Sequence, residues 1–285
     1  MQLNKATNLA CPLDGLPLTL TERQLRCAHG HSFDLARQGY VNLLPVQNKK
    51  SREPGDSGEM VEARRRYLDA GFYAPISQAL NTLALQHLPT GTVCIVDAGC
   101  GEGYYLDRLG GALAQYCEVE QAALIGLDIA KPAVIAAARR NPQITWLVAS
   151  NSNPALLPAS VDMILCMFGF PVYPAFARML KPGGKVLLVD AGPDHLLQLR
   201  EIIYPEVRKS PPPVLDKAEQ SGFALIAEKT LRYDTPGLDR SAIADLLVMT
   251  PHLYRATRAG KEAAAQLERI SLTVEVVFRV LTKLP

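Results

Sequence analysis

Charge of one sign is what this 285-residue sequence most lacks: 30 Lys and Arg stand against 28 Asp and Glu, a net charge of +2. So even a balance gives no electrostatic case for a nucleic acid, an acidic substrate or an anionic membrane. A mildly acidic centre lies between mildly basic ends, which is compatible with RNA binding but does not establish it. Long apolar runs are missing as well. Nothing approaches the ~18 uninterrupted apolar residues of a membrane span, and the first 30 residues hold no run of the length a signal peptide needs. The expectation is a soluble, cytoplasmic protein with no membrane association. Cysteine is sparse: six, at 11, 27, 94, 100, 117 and 166, spread too widely for a disulfide framework. Cys94 and Cys166 sit in apolar runs, where a thiol is a small hydrophobe. There is no internal repeat and no low-complexity tract. What the chain does have is apolar content, 48% against 20% charged, enough to bury a large core with a small module beside it.

From residue 92 onward, short apolar runs rich in β-branched residues alternate with helical segments: TVCIVDAG, YYLDRLGGALAQ, AALIGLDI, KPAVIAAARRN, ITWLVAS, VDMILCMF, YPAFARML and KVLLVDAG. Such alternation predicts parallel strands covered on both faces, an open doubly wound α/β sheet. The last third reads as helix, strand, helix, strand and completes the same sheet. Upstream, QGYVNLLPVQNKKSREPGDSGEM is polar and broken by Pro45, Pro54 and Gly55, a linker or an ordered loop that is basic through Lys49, Lys50 and Arg52. A helix is predicted to follow, capped by Asp56 with Glu59 reaching back. Its inner face would hold Met60, Ala63, Tyr67 and Ala70, with Gly71 at its stop and Arg64, Arg65 and Arg66 fanned around it.

VDAGCGEGYY holds the main chemistry. A strand ends at Asp97, and Gly99, Gly101 and Gly103 follow at alternate positions before a helix. Without Cβ atoms the turn lets a ligand approach the backbone and leaves amides pointing outward. A nicotinamide site begins in the same way, and a bare tight turn would look alike. Three features favour S-adenosylmethionine. The spacing is G-x-G-x-G. An acid stands two residues ahead of the first glycine, where it would meet an ammonium and repel a pyrophosphate. Asp128 ends the second strand, placed to accept ribose hydroxyls, and LKPGGKVLLV leads into the fifth strand as in class I methyltransferases, which the region resembles.

The N-terminal segment CPLDGLPLTLTERQLRCAHGH looks like a metal knuckle short of one thiolate. Cys11 and Cys27 stand where thiolates belong, His31 offers a third ligand, and Asp14 occupies the place of a second cysteine. The spacing C-x2-D-x12-C-x3-H permits a tetrahedron, and a carboxylate can ligate zinc, although a hard oxygen suits it less than a thiolate. His29 is a substitute ligand with a poorer chelate loop. The alternative is a metal-free module shaped by Leu13, Leu16, Leu18 and Phe33, with Asp14 capping a turn.

The knuckle with HSFDLARQGYVNLLPVQ, then SREPGDSGEMVEARRRYLDAGFY, DAGCGEGYY and MTPHLYRA together resemble the guanine-N1 methyltransferases of 23S ribosomal RNA, the RlmA type, over almost the whole chain. The resemblance implies a class I S-adenosylmethionine-dependent methyltransferase with a seven-stranded, mostly parallel sheet. It implies a zinc-ribbon-like RNA-recognition module at 1–45, a basic linker and helix at 46–75, and the methyltransferase domain at 76–285. It further implies a homodimer that grips an RNA hairpin, zinc held by Cys11, Asp14, Cys27 and His31, and cofactor contacts at Tyr73, Gly101, Glu102 and His195. The competing readings are a methyltransferase of a small metabolite and an RNA-binding protein without turnover.

Guanine N1 carries a proton that must leave before methylation, and no residue is decisive as its acceptor. Asp190 and Asp194 follow the fifth strand near the reacting base, and His252, Tyr254 and Arg255 would wall the pocket. Phe168 and Phe170 are either stacking platforms for an everted base or core. The arginine fan, with Lys49, Lys50 and Arg52, is the candidate for phosphate contact, or else a solvated helix face.

Overall fold

In a computed structural model, the protein is described over residues 1–48, 51, 53–116, 118–250 and 252–285, without the side chains of Asn48, Leu253 and Tyr254. Lys49, Lys50, Arg52 and the Tyr254 side chain, all named above, lie outside the described residues.

The first 48 residues form strands β1 (Gln2–Asn4), β2 (Thr19–Thr21), β3 (Gln24–Arg26), β4 (Ser32–Asp34) and β5 (Tyr40–Asn42). Helices α1 (Gly58–Asp69) and α2 (Ala74–His87) follow. Strand β6 (Gly91–Ala98) then opens the alternation with α3 (Tyr104–Leu113), β7 (Val119–Asp128), α4 (Lys131–Arg140), β8 (Thr145–Val148), β9 (Val161–Met167), α5 (Tyr173–Met179) and β10 (Leu180–Ala191). After α6 (Leu197–Ile203) and α7 (Asp216–Gln220) come β11 (Phe223–Asp234), the short pair β12 (Leu238–Asp239) and β13 (Arg269–Ile270), helix α8 (Arg240–Met249) between these two, and β14 (Thr273–Lys283).

The large sheet runs β11-β14-β10-β9-β6-β7-β8-β5. Pairings from β10 to β5 are parallel, and β14 is antiparallel to both β10 and β11. Seven of these strands are the mostly parallel, doubly wound sheet expected from the alternation. Two short additions were not foreseen: β5 extends the sheet beyond β8, and β1 lies parallel to the start of β7. Both come from the N-terminal segment, which is sewn into the large sheet at its two ends while β2, β3 and β4 form a separate antiparallel ribbon.

The two faces of the sheet bury different sets. Strand residues Ile95, Leu165, Leu187 and Val189 pack under α1, α2, α3 and α6. Val96, Ile164, Val186 and Leu188 face α5, α7 and the N-terminal segment, whose Leu9, Leu18 and Leu25 join that second core. Alternate residues of a strand point to opposite faces, so a two-sided apolar run is what a doubly covered strand requires. Burial lifts the thiols of Cys94 and Cys166 to about 11 and about 12, which fits their reading as small hydrophobes.

Three local expectations need correction. The cap of α1 is Ser57, whose Oγ accepts from the Met60 amide at 3.3 Å, because Asp56 is drawn into an ion pair with Arg64. The inner face of that helix is Val61, Ala63, Tyr67 and Leu68, rotated from the one expected, since α8 and α4 flank it as well as the sheet. Helix α2, not singled out in the sequence, buries Ile76, Leu80, Leu83 and Ala84 at helical spacing.

Candidate functional site

An open α/β fold binds its ligand outside the carboxyl ends of its strands where the strand order reverses, here beside β6, with β7 on one side and β9 on the other. Gly99, Gly101 and Gly103 all have positive φ there, at 90°, 54° and 86°. They do different work. A Cβ on Gly99 would meet nothing within 4 Å, so that face of the turn is open to a ligand. A Cβ on Gly103 would fall 2.7 Å from Trp146, so this glycine lets α3 start against the neighbouring strand.

Asp97 is 1% exposed, and neither of its oxygens has a hydrogen-bond partner among the described residues. Burial, reinforced by the nearby Asp128 charge, pushes its carboxyl up to about 8. Leaving a buried carboxyl orphaned is costly, and such a group in a crevice marks a ligand site. Asp128 is held on both sides, with Oδ2 accepting from the Gly101 amide at 2.9 Å and Oδ1 from the Ala130 amide at 2.8 Å. Each oxygen keeps a second lone pair. Glu102 is buried and bound by Arg140, while its Oε1 has no described partner.

Tyr73 stands just before α2, and its hydroxyl lies 3.2 Å from His195 Nε2, 122 positions away. Both are buried, and burial holds His195 neutral, down at about 4. The Nδ1 of His195 has no described partner. The ring of Phe168 completes a triangle, 6.2 Å from Tyr73 and 5.9 Å from His195, with the phenylalanine backbone at φ 51°. Phe170 is 89% exposed, which removes the core reading for that residue. A cavity of about 630 Å³ lies beside this crevice, between the linker, α1 and α4; none of Asp97, the glycine turn, Tyr73 or His195 lines it.

Of the two acids expected near the reacting base, Asp194 is engaged by cations, whereas no described side chain pairs with Asp190. Asp194 binds Lys209 and Arg232, both at 2.7 Å, which holds its carboxyl below the usual range. Asp190 is raised by burial and opposed by Arg279. From MTPHLYRA, His252 hydrogen-bonds Tyr204 at 2.7 Å and lies close enough to His195 to disfavour its protonation. The arginine fan is also committed within the chain. Arg64 pairs with Asp56, Arg65 with Asp69, and Arg66 reaches both oxygens of Asp245. Asp245 lies 179 positions from Arg66, beyond any local signal in the sequence, whereas Asp69 is the i+4 neighbour of Arg65.

At the other end of the chain, the ligand atoms of Cys11, Asp14, Cys27 and His31 all lie within 4.8 Å of one another. Zinc bonds of about 2.0 to 2.3 Å in a tetrahedron imply ligand-to-ligand edges of roughly 3.3 to 3.8 Å. Of the six edges, Cys11 Sγ to His31 Nδ1 at 3.5 Å, Cys27 Sγ to His31 Nδ1 at 3.4 Å and Cys27 Sγ to Asp14 Oδ2 at 3.4 Å fall in that range, His31 Nδ1 to Asp14 Oδ2 is shorter at 3.0 Å, and the other two are within 4.8 Å. Four donors therefore surround a zinc-sized space. Two tight turns present them: the Gly15 amide bonds to Cys11 O and the Gly30 amide to Cys27 O. Asp14 Oδ1 accepts from the Leu16 amide at 3.0 Å, so the capping role and the ligand role fall to different oxygens of one carboxylate. His29 touches the same Oδ2 from outside at 3.2 Å. Leu13, expected inside the module, is exposed.

Two family models match the chain: that described as RlmA, N-terminal, over residues 9–52, and that of a methyltransferase domain over residues 95–184. The chain is 33% identical to the 23S rRNA (guanine(748)-N(1))-methyltransferase of Streptomyces fradiae over the whole of both sequences. It is 36% identical to a Micromonospora griseorubida protein assigned as a 23S rRNA (guanine-N(1)-)-methyltransferase, over 94% of this chain and 95% of that one. A Bacillus subtilis (strain 168) protein with the same assignment, YxjB, is 30% identical over 93% and 94%.

Proposed function

The chain belongs to the family of 23S rRNA (guanine-N1)-methyltransferases, and on that footing we propose that it transfers the methyl group of S-adenosylmethionine to N1 of a guanine in a hairpin of 23S ribosomal RNA. The observation that supports this most is Asp97, a buried carboxyl with no partner among the described residues, directly ahead of an open glycine turn. An ammonium satisfies it with both hydrogen bonds and opposite charge, which a neutral donor supplies only in part.

When bound, the cofactor supplies an electrophilic methyl. The chain's own residues position it. Asp97 receives the amino group of the tail, and the bare backbone of Gly99, Gly101 and Gly103 lets that tail lie close. Asp128, fixed by two amides, offers its remaining lone pairs to the ribose hydroxyls. Tyr73, His195, Gly101 and Glu102 border the same crevice as cofactor contacts. Phe170 and Phe168, beside it, form the platform on which an everted guanine stacks. Asp194 is not assigned as the proton acceptor, because two cations hold it, and the acceptor is left unassigned. Alignment and exclusion of water are what these side chains contribute to the rate.

Cys11, Asp14, Cys27 and His31 hold zinc, which fixes the two knuckles of the ribbon. Residues 1–45 act as the RNA-recognition module, 46–75 as the linker and first helix, and 76–285 as the methyltransferase domain. The working form is a cytoplasmic homodimer; no described helix is long and apolar enough to cross a membrane.

The test is incubation with methyl-labelled S-adenosylmethionine and either 23S rRNA lacking modification or a pool of small metabolites, followed by nucleoside analysis. Label in 1-methylguanosine supports the proposal. Label confined to a small molecule supports the metabolite reading, and binding of RNA without any transfer supports a non-catalytic role.

A further inference from the structure

The crevice has an unbalanced charge. Asp97, Asp128 and Glu102 surround the glycine turn, and burial raises all three carboxyls. These acids suit an ammonium and a sulfonium. The tail of an S-adenosylmethionine also has a carboxylate, and that anion would be repelled unless a cation faces it.

Two arginines, Arg140 and Arg64, reach this turn, and a third, Arg108, stands on the helix that follows it. Arg140 is spent on two carboxylates, those of Glu102 and Asp69. Arg108 donates to Ser77 Oγ at 2.8 Å and lies over the Tyr104 ring. Arg64 is different. It projects from α1 so that Nη1 sits 3.7 Å from the point a Cβ on Gly101 would occupy. Its charge favours the ionised forms of Asp128, Glu102 and Tyr105, three groups around the turn. Its side chain keeps 24% of its exposure, and it is steadied by one carboxylate, Asp56, and by the Met249 carbonyl at 3.0 Å. A guanidinium with five donors has capacity left after two acceptors.

We propose that Arg64 is the specificity-determining residue for the carboxylate of the methyl donor, which it binds across the glycine turn from Asp97, in competition with Asp56. Arg64 then joins three segments at the cofactor: the linker through Asp56, the end of α8 through Met249, and the turn itself. The planar, bidentate donor set of arginine matches a carboxylate in a way that the single ammonium of lysine does not. This inference rests on the methyl-donor reading of the crevice.

Decarboxylated S-adenosylmethionine keeps the sulfonium and the ammonium and lacks only the carboxylate, so equilibrium binding of the two compounds isolates the interaction. The wild-type protein is expected to prefer S-adenosylmethionine by about 10- to 100-fold, the range for a charge-assisted hydrogen-bonded pair. Arg64→Gln should bring that ratio close to 1 with little change in affinity for the decarboxylated compound, and Arg64→Lys should restore part of it. Asp56→Asn, which removes the competing carboxylate, should tighten S-adenosylmethionine and leave its analogue unchanged. Unaltered zinc content and thermal unfolding check that the variants are folded. A ratio kept in Arg64→Gln, or a wild-type protein that binds both compounds alike, overturns the inference alone. A wild-type protein that binds neither overturns the methyl-donor reading with it.

Discussion

Replacing Asp97 with Asn should make the free protein more stable while abolishing its use of the cofactor. The ordinary aspartate value of 3.8 is raised to about 8 in the fold. Between those limits the unfolded chain has released the proton and the folded chain retains it, so stability falls as pH rises, by about 1.4 kcal/mol per unit. The integrated penalty is on the order of 4 kcal/mol at pH 7 and roughly 6 kcal/mol above pH 8. Water in the open turn and burial of the replacement amide reduce what is recovered to about 2 to 4 kcal/mol. For a chain of this size that is about 4 to 12 °C in Tm. Below pH 4 the gain disappears, because both states then hold the proton. Differential scanning fluorimetry from pH 4 to 9, with and without S-adenosylmethionine, reads both effects. The wild-type Tm should rise with the cofactor and the Asp97→Asn Tm should not. Calorimetry at pH 7 should also find close to one proton released when the wild type binds. An Asp97→Asn protein less stable than wild type at pH 8, or one that keeps its cofactor shift, refutes the reasoning.

At the knuckle, protein purified without added zinc should contain one equivalent by elemental analysis, Cys27→Ser should lose it, and Asp14→Cys should hold it against a chelator that strips the wild type, because a thiolate replaces an oxygen. Gly103→Ala puts a Cβ 2.7 Å from Trp146 at φ 86°, so chemical denaturation should show a loss of about 2 to 4 kcal/mol. Phe170→Ala should leave Tm unchanged, since the ring is 89% exposed, yet lower kcat/KM for RNA by about 10-fold if the ring stacks on the target base. An unchanged kcat/KM would remove the ring from the site.

Much of this was readable because it is local. The parallel sheet follows from runs such as VCIV and MILCM, whose β-branched and apolar residues leave no polar face. The glycine turn and its acid are consecutive, and the four knuckle donors are set by two short spacings. What could not be read depends on distance. Strands β1 and β5 are three residues each, too short for any alternation to register, and their pairing is dictated by the exposed starts and edges of β7 and β8. Of the acids that pair with the arginine fan, Asp56 and Asp69 are local, whereas Asp245, on another helix, has no signal in the sequence. The approach of Tyr73 to His195 has no local signature, and only the family resemblance places the two residues at one site. Nor could the sequence show that Asp97 would be the carboxyl left without a partner, since that depends on what the whole crevice does not supply.

Primer extension along 23S rRNA treated with the protein and S-adenosylmethionine is the most direct trial of the account, because a methyl on N1 blocks the pairing edge of guanine. The account predicts a new cofactor-dependent stop at a single guanine within a hairpin, absent when Asp97→Asn protein is used. Unimpeded extension through an RNA that has nonetheless taken up the methyl group would place the modification elsewhere and contradict it.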